Sequence, residues 1–363
     1  FSMPKSASIL ALVSGDRRIL DAHLAAVRST MAQLVEKQFA EARNYERSRN
    51  GEPERTGNLV YALFAHDTSR ALDPQGHIHA VVANLTRDLK GNWKALWNGE
   101  IWKNNTTIGQ FYHAAFRAQL QKLGYETEAA GKHGAFEIKG VPGEVIKAFS
   151  TRAAEIEAKI AETGATTLAT KKQITLYTRD PKLVVEDRTA LVEGWKTRAA
   201  ELGFDGKPLV AEAMARVQHQ ARPSLRETAS QAFAEIAERI SAAMRPPSAL
   251  AVSGTAALFL PAETIKAQHA TASAIRHLSE REAAFSPHAI LESALGFQIK
   301  GLEGEAVVTR IGELVRDGRL IPGKSERADG HYDLVTTPEA LAREQQILVR
   351  LDAGAGQGRA FMA

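Results

Sequence analysis

The run His66-Asp67-Thr68-Ser69-Arg70-Ala71-Leu72-Asp73-Pro74-Gln75-Gly76-His77-Ile78-His79-Ala80-Val81-Val82-Ala83-Asn84 decides how this chain is read. Residues 58–65 before it and 77–85 at its end are rich in Val, Leu, Ile and Phe and read as strands. Between them, 67–76 is polar and carries Asp73-Pro74-Gln75-Gly76, a turn signal, so the two strands fold back antiparallel. Side chains two apart in a strand share a face. His77 and His79 therefore aim their imidazoles side by side, and the turn brings His66 next to them. Three imidazoles on a rigid sheet face make a divalent-metal site with room left for a substrate or water. The bland alternative is a set of core histidines with one hydrogen bond each. Burying three together without an ion leaves ring nitrogens unsatisfied at roughly 1–3 kcal/mol each, which favours the metal. Imidazole-only ligation suits zinc, manganese, nickel or copper, so the spacing leaves the ion's identity open.

Length and composition bound the rest. At 363 residues the chain has room for two or three domains. It carries 46 basic against 42 acidic side chains, a net charge of +4, which is compatible with nucleic acid without demanding it. There is no cysteine, which excludes disulfides and thiolate metal sites. No run of 18 apolar residues exists and no signal peptide opens the chain, so a soluble, cytoplasmic protein is expected. Phe1-Ser2-Met3-Pro4-Lys5-Ser6 reads as the tail of a strand entering a helix, with Pro4 in the first helical turn and Gly15 ending it. A start in mid-strand reads as an N-terminally truncated fragment.

Along the chain, Asp16 caps a long helix with Ile19, Leu20, Leu24, Val27, Met31, Leu34 and Val35 on one face, and His23 beside that stripe reads as structural. Residues 43–55 read as a solvated basic loop and 87–93 as a short polar return. A helix over 106–123, a short strand at 135–138, a helix opened by Pro142 and a helix through Leu191, Trp195, Ala199 and Leu202 follow. The expected fold is α+β, an antiparallel sheet with flanking helices carrying the three-histidine metal site. After it, 211–244 reads as helices without strand partners, and Arg245-Pro246-Pro247-Ser248 breaks the pattern. Three helices then carry Ile275 and Leu278, Ile290 to Leu295 after Ser286-Pro287, and Val307 to Val315. Strand-like pieces at 318–321 and 332–335 flank the polar turn 323–330, the layout of a small winged-helix-like domain or of a helical connector. A last helix opens at Thr337-Pro338, and the glycine-rich stretch 354–358 lacks the Lys-Ser/Thr of a P-loop. The expected organisation is a metal-binding domain over 1–205, a helical linker over 206–266, the winged-helix-like domain over 267–336 and further sequence over 337–363.

The histidine run, with Phe1-Ser2-Met3-Pro4-Lys5-Ser6, Thr56-Gly57-Asn58-Leu59-Val60, Leu123-Gly124-Tyr125-Glu126-Thr127 and Gly131-Lys132-His133-Gly134, resembles the conjugative relaxases of the TrwC/TraI type, the MobF class. The resemblance covers 1–205. The segment from Ala272-Ser273-Ala274-Ile275-Arg276-His277-Leu278 to Glu344 resembles the region that joins such a relaxase to its helicase-like part, which would begin at 337–363. What this implies is site- and strand-specific nicking and rejoining of single-stranded DNA at a transfer origin, through a phosphotyrosine intermediate. It also implies one divalent ion (magnesium, manganese or zinc) held by His66, His77 and His79, and other conjugation proteins as partners, with no small-molecule cofactor. The family's nucleophilic tyrosines and assisting acid match positions before Phe1. None of Tyr45, Tyr61, Tyr112, Tyr125, Tyr177 and Tyr332 fits that role, so the chain as given is expected to bind metal and DNA without nicking.

Supporting candidates are Asp73 and Asp67, which could accept from an imidazole N–H and fix its tautomer. Lys5, Arg70, Lys94 and Lys132 could contact DNA phosphates, each against the reading of a solvated surface charge. Trp93, Trp97 and Trp102 lie beside basic residues and could stack on unpaired bases, with at least one expected in the core. Alternatives from other classes are a non-catalytic DNA-binding module with a structural metal, and a three-histidine metal phosphodiesterase.

Overall fold

Strands Tyr61–Thr68 and Pro74–Val82 pair antiparallel, with His66 opposite His77 and Phe64 opposite His79. The computed structural model describes residues 1–46, 49–164, 166–177, 187–221, 225–323 and 332–355. Among them helices alternate with small antiparallel sheets, an α+β fold, and no helix is long and apolar enough to cross a membrane. Two compact units are distinguished. One joins Phe1–Ala32, Leu59–Ala83 and Tyr112–Ser224; the other joins Gln33–Asn58, Asn84–Phe111 and Leu225–Ala363.

In the first unit the histidine hairpin gains a third, short partner. Ser2 bridges His77 antiparallel, Ile78 N–H donates to Phe1 O at 2.8 Å, and Met3 N–H donates to Gly76 O at 2.9 Å. The start of the chain is therefore strand-like, as its sequence indicates, and Pro4 leads into the helix Lys5–Leu12. The same contacts displace the expected turn. Pro74, Gln75 and Gly76 belong to the strand, which Pro74 can open because a first strand residue needs no ladder N–H. The reversal shrinks to 69–73, where Leu72 takes a positive φ of 58° and a bulge follows His66. Gly76 leaves room for the Met3 side chain, whose Cε lies 1.9 Å from where a Cβ would stand.

The helix Lys5–Leu12 lies on Pro74–Val82 and on Phe136–Ile138, and Ile9, Leu10, Ile78 and Ile138 of these elements are all buried. Its small serines permit this closeness and satisfy polar edges. Ser8 Oγ accepts from Gly76 N–H at 3.1 Å, and Ser6 Oγ accepts from Ile138 N–H at 2.7 Å while donating to Glu137. Arg18–Thr30 adds Ile19, Ala26 and Val27. Thr127–Ala129 pairs with Phe136–Ile138, and Gly143–Ala148, Thr151–Thr163, Leu168–Tyr177, Arg188–Glu201 and Lys207–Ala221 complete the unit. Gly124 is fixed twice over, by a φ of +89° and by Ala213 O, 2.2 Å from where a Cβ would sit.

In the second unit the expected solvated loop 43–55 is instead a hairpin. Glu41–Asn44 pairs with Glu52–Arg55 and, on its other edge, with Leu96–Trp97. Charged residues disguise these strands; backbone pairing on both sides of Glu41–Asn44 sets them. Thr86–Arg87 and Trp93–Lys94 pair across the polar return, and Asn58 locks it. Its side chain donates to Arg87 O and accepts from Arg87 N–H at 2.8 and 2.9 Å. The helices Leu225–Ala243, Ala262–Ser279, Pro287–Gly296 and Gly304–Arg316 enclose Ile275, Ile290, Leu291, Val307 and Leu314. Val335–Thr336 pairs with both Ala284–Phe285 and Ile321–Pro322, and Pro338–Gly354 is the last helix. The turn expected at 323–330 lies, from 324 on, outside the described residues, as does most of the glycine-rich stretch 354–358.

Candidate metal centre

Alternation along the hairpin puts Phe64 and His66 on the same face as His77, His79 and Val81, while Ile78 points into the core. The three imidazoles converge. Ring centres of His66 and His77 lie 5.2 Å apart, and each lies 5.0 Å from His79. The rings of His66 and His77 are stacked, nearly parallel at 18°, with His79 turned by 81° and 82°. His66 and His79 are exposed and His77 half-buried. The cost of burial therefore gives no support to a metal here, contrary to the sequence-based reasoning; the support comes from the convergence.

The spacing fits an ion. Imidazole nitrogens at about 2.1 Å from a metal put each ring centre about 3.2 Å from it, and tetrahedral angles then space the centres by about 5 Å. The ring nitrogens do not yet face one point: among the described residues no group of three or more His, Cys, Asp or Glu side chains stands in ligating geometry. His77 is already oriented. Its Nδ1 lies 3.0 Å from Gln75 O, which fixes the proton there and leaves the Nε2 lone pair to a metal.

The two aspartates are engaged elsewhere. Asp73, 3% exposed, accepts from Thr151 N–H at 2.9 Å and Thr151 Oγ1 at 3.0 Å and pairs with Arg198 at 3.4 Å. Trp195 Nε1–H donates to Leu72 O at 2.8 Å, so helices far along the chain clamp the reversal between the histidine strands. Asp67 pairs with Arg188. The acceptor that orients an imidazole is the Gln75 carbonyl, which no side-chain pattern could reveal. Lys5 donates to Pro74 O at 3.0 Å, and burial pulls its pKa down to about 8 against the opposing pull of Asp73 and Glu137. Arg70 and Lys132 are exposed in this unit. Lys94 belongs to the other unit, 4.0 Å from Asp88. Trp93, Trp97 and Trp102, also there, are all exposed, so none is the core residue expected; Arg43 covers Trp97 at 3.9 Å and Arg87 lies 5.6 Å from Trp93.

Beside the cluster opens a cavity of about 960 Å³, lined by His66, His77, His23, Arg17, Arg188 and Leu24 among others. His23 was expected to be structural; it is buried, and desolvation holds its pKa down to about 3. Arg17 and Arg188 carried no motif signal.

An α+β unit with an open imidazole cluster on an antiparallel hairpin defines the class of this domain. The chain belongs to the TrwC relaxase family, which matches residues 1–202. The multifunctional conjugation protein TraI of Escherichia coli is 36% identical over 257 residues, 66% of this chain, as is TraI of strain K12. The chain spans 14% of the length of these relatives. The conjugative relaxase TrwC, solved metal-free in complex with oriT DNA, is 40% identical with a TM-score of 0.52, over 56% of this chain and 72% of that one. A copper-bound TrwC–oriT complex and a TrwC complex with a 27-mer carrying the recognition hairpin and cleavage site match at the same identity and TM-score.

Proposed function

We propose that this chain is part of a conjugative DNA relaxase, which nicks and rejoins one strand of single-stranded DNA at a transfer origin. The convergence of His66, His77 and His79 on an open face, in a TrwC-family chain, carries the reading. In the reaction a tyrosine oxygen attacks phosphorus, the bond to the 3′-oxygen breaks, and a 5′-phosphotyrosine and a 3′-hydroxyl result. Reversal rejoins the strand. One divalent ion held by the three imidazoles would supply charge neutralisation at a non-bridging phosphate oxygen. Neutral ligands add no negative charge to repel that phosphate. Arg70, Lys94 and Lys132 are proposed phosphate contacts, and Trp93 and Trp102 proposed stacking faces.

No tyrosine of this chain is given the nucleophile's role. Tyr112 Oη is buried against His23 Nδ1 and Tyr125 O–H donates to Asp16 at 2.6 Å; burial raises the pKa of both, which opposes phenolate formation. We assign 1–205 to metal and DNA binding, 206–266 to a linker, 267–336 to a winged-helix-like domain and 337–363 to the start of a helicase-like region. The three helices and the paired Ile321–Pro322 and Val335–Thr336 support the third assignment. Other conjugation proteins are the proposed partners.

Elemental analysis tests the site: His77→Ala or His79→Ala abolishes stoichiometric metal uptake, and a full equivalent retained in both variants removes it. Single-stranded DNA binding should weaken steeply with salt as counterions are released; a flat response excludes an electrostatic groove.

A further inference from the structure

His23 is a buried polar group that the function above leaves unexplained. It lies 3% exposed on the helix Arg18–Thr30 and lines the cavity that also holds His66 and His77. Its Nδ1 is 2.9 Å from Tyr112 Oη. Tyr112 is itself buried and its hydroxyl proton has no other acceptor among the described residues, so Tyr112 donates and His23 Nδ1 accepts. That tautomer places the imidazole proton on Nε2, and Nε2 is buried without a partner. A buried donor is rarely left unpaired, and here a ligand atom or an ordered water in the cavity completes it.

The cavity's chemistry says what that ligand carries. Arg17 adds a cation beside Asp21, Arg188 is paired with Asp67, Leu20 and Leu24 add apolar lining, and the imidazole cluster opens on the same space. An anionic oxygen attached to a partly apolar body matches it: a nucleotide phosphodiester. We propose that His23 is a phosphate-binding residue of this cavity, its Nε2–H donating to a phosphodiester oxygen, with Tyr112 as the positioning residue that holds the required tautomer. This rests on the relaxase reading and adds to it a neutral donor away from the metal ligands. Neutrality suits the task, because the donor is available at any working pH and needs no counter-charge.

The test uses the 363-residue chain with ¹⁵N-labelled histidine, zinc, and the dinucleotide TpT as probe. Ring spectra of His23 should show a protonated Nε2 and a bare Nδ1, and TpT should move the Nε2–H resonance downfield and slow its exchange with water. His23→Leu should bind TpT about tenfold more weakly, the loss expected for one hydrogen bond to a charged oxygen. His23→Gln, whose amide N–H can replace Nε2–H, should recover most of that affinity. Tyr112→Phe should leave the fold intact by circular dichroism yet release the tautomer, visible as a mixed Nδ1/Nε2 spectrum. An Nε2–H signal unmoved by saturating TpT, or full affinity in His23→Leu, overturns the assignment while leaving the relaxase reading in place. Should His23→Leu not fold, the wild-type spectra and His23→Gln decide. Failure of the wild-type chain to bind TpT at all overturns the assignment of His23, while the relaxase reading is judged separately by binding of a transfer-origin single strand.

Discussion

Two hairpins of this chain reach the same backbone pairing by opposite routes. In Tyr61–Thr68/Pro74–Val82 one face is apolar, with Ile78 sealed to 2% exposure, and the other stays open with Phe64 at 52% and Val81 at 56% beside the histidines. In Glu41–Asn44/Glu52–Arg55 the side chains are largely charged, and the pairing is carried by ladder bonds on both edges of Glu41–Asn44. The first hairpin is held by what it buries and the second by what it neighbours. A functional face needs the former: its sheet is anchored from beneath, so the upper face is left to carry chemistry.

Substitutions should break this contrast unequally. Ile78→Ala, which opens a cavity under the histidine hairpin, should cost about 3 kcal/mol in urea unfolding; a loss below 1 kcal/mol would mean the hairpin is not held from beneath. Asp73→Ala removes the acceptor of Thr151 and Arg198 that clamps the reversal, and should cost about 2 kcal/mol while disordering the imidazole spacing seen in histidine spectra. Protonation shifts stability as well, within defined pH windows. His23 has its folded pKa depressed to about 3 from 6.5, so the unfolded chain binds the extra proton first. Stability should fall as pH drops from about 6.5 towards 3, and His23→Leu should flatten that decline relative to wild type. Lys5 behaves as the basic counterpart. Its folded pKa of about 8 lies below 10.5, so the folded state sheds its proton first and stability should rise between those values. Lys5→Met should erase that rise; an unchanged slope would place Lys5 in solvent. Smallest of all, Glu52→Ala on the charged hairpin should shift stability by no more than about 0.5 kcal/mol, since ladder bonds rather than its side chain hold the strand.

Much of the first unit could be read directly. The strand character of Phe1 to Met3, the helix ended near Gly15, the helix Asn105–Lys122 and the histidine strands all follow from apolar periodicity and caps. Other features were hidden for identifiable reasons. Pro74 to Gly76 read as a turn, yet Met3 drew them into the strand from 73 residues away. Residues 43–55 read as loop because charge outweighed alternation. Asp73 resembled an imidazole partner only while Thr151 and Arg198, 78 and 125 residues distant, were out of view.

The amino-acid order by itself determined that His77 and His79 would share one strand face, because side-chain direction in a strand is a local property of period two, while the pairing register put His66 on that face. Only the tertiary structure decided which partners orient them, that the face stays open, and that His23 meets Tyr112 beside a cavity with one nitrogen unpaired. Those outcomes depend on helices arriving from 70 to 130 residues away, and nothing in local covalent geometry fixes where such distant segments dock.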